Sequence, residues 1–130
     1  MDTNTLILLP QIEDAAPLPV EPLISTITLA ELSVGPLVGR TDSDRAARQA
    51  HLQQAEADFE PLPFDAAAAR AFGQVAASLR RAGRKPAARS YDAMIAAVAV
   101  ANDLPLYICN SDDFTAIEQL HVVDVPHPKA

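Results

Sequence analysis

The sequence predicts an α/β fold: a three-layer α/β/α sandwich built around a short-stranded, mainly parallel sheet. Three observations predict it. Brief β-branched or apolar runs at 23–27, 104–109 and 121–125 alternate with longer helical patterns, the arrangement of strands joined by helical crossovers. Residues 93–101 are apolar nearly all round, which marks a buried helix. The apolar content is dominated by 25 Ala, with no Trp and six Phe plus Tyr, so the core is one of small side chains and close helix packing. At 130 residues the chain is expected to form one domain, 1–130.

In chain order, residues 3–9 form a short apolar stretch that Pro10 ends. Pro10, Pro17, Pro19 and Pro22, with acids between them, make 10–22 a loop or a ragged short helix. The run Leu-Ile-Ser-Thr-Ile at 23–27 reads as a buried strand. Thr28 then supplies an N-cap for a helix opening at 29–32, whose end is blurred by Gly35, Pro36 and Gly39. Thr41-Asp42-Ser43-Asp44 starts the next helix, with carboxylates where the dipole favours them, and it runs to about Asp58. Residues 61–64 form a short edge-type segment. Asp65 caps a long Ala-rich helix with Phe72, Val75, Ala76 and Leu79 at helical spacing, closed by Arg80, Arg81 and Gly83.

A basic connection at 84–89 leads to the apolar helix, which Ser90 or Asp92 begins. The 104–109 strand follows, then a polar turn at 110–113, one or two helical turns at 114–120, the 121–125 strand and a Pro-His-Pro tail.

Seventeen acids against ten bases leave a net charge of −7, which excludes nonspecific coating of nucleic acid and binding to an anionic membrane surface. The charge is uneven. Residues 1–39 carry five acids and no Lys or Arg, residues 40–89 carry nine bases and six acids, and residues 90–130 carry six acids and only Lys129. The single Cys109 excludes a disulfide framework and a Cys-based zinc site. It is expected to be a buried strand residue. No signal peptide or transmembrane run is expected, and a reducing cytoplasm fits. His51, His121 and His127 show no ligand spacing, Ser25 has no nucleophile elbow, and four Gly make no phosphate loop. The stripe Ala47, Ala50, Leu52, Ala55 and Phe59 serves either the core or a dimer or partner surface.

Four carboxylates stand at strand-to-helix junctions or helix starts: Asp2, Glu31, Asp92 and Asp113. Singly, each reads as a cap, a turn or a solvated face. Ligands of parallel sheets bind beyond the carboxyl ends of the strands. Acids gathered there require a cation, and a hard, oxygen-rich set selects Mg²⁺ or Mn²⁺.

In this order the residues resemble the PIN domain, and most closely the VapC-type toxins of bacterial toxin–antitoxin pairs. Asp2-Thr3-Asn4-Thr5-Leu6-Ile7 resembles the family's opening motif, and Ser25-Thr26-Ile27-Thr28-Leu29-Ala30-Glu31-Leu32 its second. Asp92-Ala93-Met94-Ile95-Ala96-Ala97 resembles the third, and Asn110-Ser111-Asp112-Asp113-Phe114 the fourth. The resemblance implies a PIN-like sandwich and a Mg²⁺- or Mn²⁺-dependent endoribonuclease held inactive by a cognate antitoxin. It also implies a homodimer. Asp2, Glu31, Asp92 and Asp113 are then the catalytic and metal-site acids, with Asn4, Thr26, Asn110 and Asp112 in support.

Two features depart from the family pattern. Only Met1 precedes Asp2, where relatives have several apolar residues, and Ile108-Cys109 stands where many carry Thr followed by Arg or Gln. These departures motivate the alternative of a catalytically weak module that binds an antitoxin. A receiver-like phosphoacceptor is disfavoured, because no acid pair follows a first strand and no Lys follows a late one. Arg80, Arg81, Arg84, Lys85 and Arg89 are either helix-end compensation and solvated loop or an RNA-backbone contact beside Asp92. No aromatic residues are interleaved to stack bases.

Overall fold

A computed structural model of the chain describes residues 23–84, 90–109 and 114–125. Within them the elements are α1 (Thr26–Val38), α2 (Asp42–Asp58), α3 (Ala66–Arg81), α4 (Ser90–Ala101), β1 (Leu106–Ile108) and β2 (Val122–Asp124). The expected segments at 1–22, 85–89, 110–113 and 126–130 lie outside the described residues, and with them Asp2, Asn4, Lys85, Arg89, Asn110, Asp112 and Asp113.

The strands are shorter than the apolar runs that contain them. β1 and β2 pair in parallel, Leu106 opposite Val122 and Ile108 opposite Asp124. The ladder is framed by Leu106 N–H donating to the His121 carbonyl and Val125 N–H to the Ile108 carbonyl, each at 2.8 Å. Alternation buries Leu106 and Ile108 on one face and leaves Tyr107 half-buried on the other. Between the strands, 114–120 forms turns rather than a helix, with Phe114 and Ile117 buried.

The strand expected at 23–27 is reduced to one parallel bridge, Ser25 with Leu62. Leu62 N–H donates to the Ile24 carbonyl and Thr26 N–H to the Leu62 carbonyl, each at 2.9 Å. The reason is the cap. The Ser25 hydroxyl accepts from Thr28 N–H at 3.3 Å, so Ser25, not Thr28, opens α1 and draws Thr26 and Ile27 into the helix. Thr28 is buried one turn inside. Phe64 N–H donates to Thr26 Oγ1 at 3.2 Å and fastens the 61–64 segment to the start of α1.

α1 continues through Pro36, which forgoes one backbone bond near the helix end. Gly39 then turns the chain into α2. A Cβ there would lie 2.6 Å from Arg45 Cγ and 3.0 Å from Arg45 N, so the close approach requires glycine. α1 and α2 bury a small cluster, Ile24, Leu32 and Ala55, flanked by Leu29, Leu52 and Phe59. The predicted α2 stripe is therefore only partly core, since Ala47 and Ala50 are exposed.

The main core is assembled around α4, whose Ala93 and Ile95 through Ala99 are all buried. Val75 and Leu79 of α3 cover it on one side and Leu106 and Ile108 of β1 on another. Small side chains let these layers approach closely. Both helices end in a left-handed residue, Gly83 at φ 76 after α3 and Asp103 at φ 53 after α4. No helix among the described residues is long and apolar enough to cross a membrane.

Candidate functional site

Asp92 lies in the first turn of α4, half-buried, where the helix dipole favours a carboxylate. The short 102–105 turn reverses the chain between α4 and β1, so α4 runs opposite to β1. Its amino end stands toward the carboxyl edge of the strands, the edge where ligands bind in parallel sheets.

Glu31 is half-buried on α1, which packs against α4. Because α1 starts at Thr26, Glu31 lies in its second turn rather than its first. Thr26 opens α1, and its hydroxyl oxygen accepts from Phe64 N–H. These are the catalytic and supporting candidates that fall within the described residues. Among those residues no three of His, Cys, Asp or Glu come together as a metal cluster. Glu31 and Asp92 supply hard carboxylate oxygens, the donor type that suits Mg²⁺ or Mn²⁺.

The cationic candidates are spread along and beyond α3. Arg80 and Arg81 occupy its last turn, and Arg84 N–H donates to the Leu79 carbonyl at 2.8 Å. The Arg81 guanidinium donates to Glu118 Oε2 at 3.2 Å, and the buried Ser78 hydroxyl donates to Gln119 Oε1 at 3.0 Å. Glu118 and Gln119 lie just before β2, at the amino edge of the sheet.

A hollow of about 360 Å³ opens at that same edge, lined by Gln119, His121, Tyr107 and Asp103 beside Ala99 and Val100 of α4. Arg81 is therefore placed by the far end of α4 from Asp92. Eleven residues of sequence suggest closeness, but Arg81 pairs with Glu118 beside the amino edge of the sheet, whereas Asp92 opens α4 toward the carboxyl edge.

Sequence reasoning passed over Arg70. It is exposed on α3, and no ion pair among the described residues involves it. Its signal was available: it is a cation in the amino half of an Ala-rich helix whose other cations, Arg80 and Arg81, stand in the last turn. Cys109 is half-buried just after β1, not buried within it.

Among the described residues, the one resolved titration shift lies elsewhere. The hydrogen bond from Arg48 to Asp44, at 3.1 Å, is the largest of the effects holding that carboxyl below its ordinary value.

The PIN domain family model matches residues 2–120. The chain belongs to the PIN domain family. This PIN domain is 39% identical over 112 residues to ribonuclease VapC5 of Mycobacterium tuberculosis, covering 86% of this chain and 80% of that protein. Its fold is similar to a crystal structure of VapBC-5 from Mycobacterium tuberculosis, a member of the VapBC family of toxin–antitoxin systems. That match has a TM-score of 0.82 at 36% identity and covers 95% of each chain.

It is also similar to VapBC2 from Rickettsia felis bound to a promoter DNA fragment, with a TM-score of 0.67 at 25% identity over 78% of this chain and 73% of that one. FitAcB from Neisseria gonorrhoeae shares the fold alone, at a TM-score of 0.73 and 24% identity over 95% of this chain and 94% of that one. The expected PIN-like α/β fold therefore stands, helix-rich and with a small parallel sheet among the described residues.

Proposed function

We propose that this PIN domain is a metal-dependent endoribonuclease and the toxin of a toxin–antitoxin pair. The observation that carries the reading is the 39% identity to ribonuclease VapC5 over most of both chains. The half-buried carboxylates of Glu31 and Asp92, on helices that pack together, support it.

On this reading Asp2, Glu31, Asp92 and Asp113 hold Mg²⁺ or Mn²⁺, with Asn4, Thr26, Asn110 and Asp112 in support. The bound ion supplies Lewis acidity and lowers the pKa of a coordinated water. The chain's own part is positional. α4 presents Asp92 from its first turn, in a frame fixed by the buried face of the same helix. Thr26, in accepting from Phe64 N–H, ties the start of α1 to the 61–64 segment and so steadies the helix that carries Glu31.

The cytoplasmic setting, the cognate antitoxin and the homodimer belong to the same proposal. So does the family's product chemistry, a 5′-phosphate and a 3′-hydroxyl.

The test is cleavage of a total RNA preparation with Mg²⁺ or Mn²⁺ by wild type and by Asp92→Asn. Metal-dependent cleavage that the variant loses supports the reading. Equal activity in both removes Asp92 from the metal site. No cleavage by wild type, with antitoxin binding retained, favours the catalytically weak module.

A further inference from the structure

The exposed positions of α3 hold Arg70, Gln74, Arg80 and Arg81, and otherwise only Ala and Gly. At 100° per residue, Arg70, Gln74 and Arg81 fall within an arc of about 40°, and Arg80 lies some 80° to one side. α3 itself carries no acid, in a chain whose net charge is −7. Arg70 to Arg81 spans about 16 Å of helix axis.

The two ends of this face differ. At the carboxyl end Arg81 is engaged with Glu118, beside the amino edge of the sheet. At the other end Asp65 caps α3, and Phe64 is bonded to Thr26 at the start of α1. Arg70 lies five residues beyond Asp65, about 7.5 Å along the axis. It is therefore the α3 cation nearest, along the chain, to the segment bonded to the start of α1, and it has no carboxylate partner among the described residues. Gly73 has open space where a Cβ would stand, so the surface beside Arg70 and Gln74 is low and a backbone can lie close to it.

We propose that this face of α3, led by Arg70, is a track for the RNA phosphate backbone approaching the carboxylate site. The inference rests on the ribonuclease reading and deepens it. Charge complementarity selects a polyanion, and the absence of aromatic side chains from the exposed face selects backbone contact over base stacking. Arg70 and Arg80 are the principal contacts, and Arg81 contributes less because Glu118 already shares its charge.

The experiment measures binding of a fluorescent, random-sequence single-stranded RNA in Mg²⁺ across a salt series. The proteins are wild type, Arg70→Gln, Arg70→Lys and Arg81→Gln. One lost phosphate contact lowers the slope of log affinity against log salt by about 0.7. Arg70→Gln is expected to show that change with a roughly three- to tenfold weaker affinity near 0.1 M salt. Arg70→Lys should restore both, and Arg81→Gln should change them less.

Unchanged affinity and slope in Arg70→Gln, with wild type binding RNA, overturns this proposal and leaves the ribonuclease reading standing. An effect in Arg70→Gln on binding the antitoxin, with none on RNA, overturns it as well and assigns the face to an acidic protein. Failure of wild type to bind or cleave RNA overturns both readings.

Discussion

Asp92 occupies the position in α4 where a carboxylate is best tolerated. The rest of the helix is packed from Ala93 and Ile95 through Ala99, where an acid would be buried among apolar neighbours. In the first turn it meets the positive end of the dipole and is half-buried. A group so placed is held without distortion of the helix, so Asp92→Asn should leave the fold intact. On the proposed reading Asp92 is a metal ligand, so losing its charge removes several kcal/mol of transition-state stabilisation, and the expected result is a fall in cleavage rate of about a hundredfold or more. A circular-dichroism melt accompanies the kinetics, so that an unfolded variant is not mistaken for an inactive one.

Ile108 raises a second residue-scale question, since many relatives carry Thr there. Here the side chain is fully buried, on the core face of β1 with Leu106. Ile108→Thr brings a hydroxyl into a cluster of Ala, Val, Leu and Phe side chains. The expected cost is about 1–3 kcal/mol in urea unfolding. Unchanged stability, or a gain in activity, would show that the hydroxyl finds a partner toward the site.

The α1–α2 hairpin shows what an element owes to its turn. Thr41 Oγ1 accepts from Asp44 N–H at 3.0 Å, and the Asp44 carboxylate accepts from Arg40 N–H at 3.3 Å and from Arg48 Nε at 3.1 Å. The last bond is the main reason the Asp44 carboxyl lies below its ordinary value of 3.8. A depressed carboxylate pKa adds stability that is present above the unfolded value and fades as pH falls through the folded one. The start of α2 should therefore hold steady down to about pH 4 and loosen below it. Asp44→Asn should lose that acid dependence, measured by amide exchange in the hairpin. Gly39→Ala tests the same turn from the backbone side: its Cβ meets Arg45 backbone as well as side chain, so thermal unfolding should come at lower temperature.

Legibility followed these local signals. The run from Thr41 to Asp44 and the single Asp65 announced α2 and α3, because each stands directly before a helical run and outside any β-branched stretch. Ser25 was missed because Ser25, Thr26 and Thr28 offer three hydroxyls in four positions, inside a β-branched run that reads as strand. The cap that forms is decided by the tertiary bridge to Leu62, which no local pattern contains. Arg81 misled for a related reason, since closeness in sequence to Asp92 says nothing about which way α3 runs past α4. The order and spacing of the acidic motifs carried the family, because they depend on topology more than on exact strand bounds.

At the scale of the whole molecule, the charge distribution sets the terms of RNA engagement. Acids dominate both ends of the chain, and the bases concentrate at 40–89. In that middle region, Arg45 and Arg48 are committed to Asp42 and Asp44, and Arg81 to Glu118. Pairing among the described residues thus engages three of the nine cations of that region, and on the proposed reading a set of site carboxylates without its ion would repel the scissile group. A divalent ion reverses the sign of that local field. RNA affinity should therefore depend on metal far more than a basic binding protein's does. In low salt, EDTA is expected to weaken binding of random single-stranded RNA by about tenfold or more relative to Mg²⁺, with Mn²⁺ restoring it. Asp92→Asn should bind equally in EDTA and in Mg²⁺, because the ion no longer seats. Wild-type binding that is the same with and without divalent metal would locate RNA recognition entirely in the arginines, and would detach it from the carboxylate site.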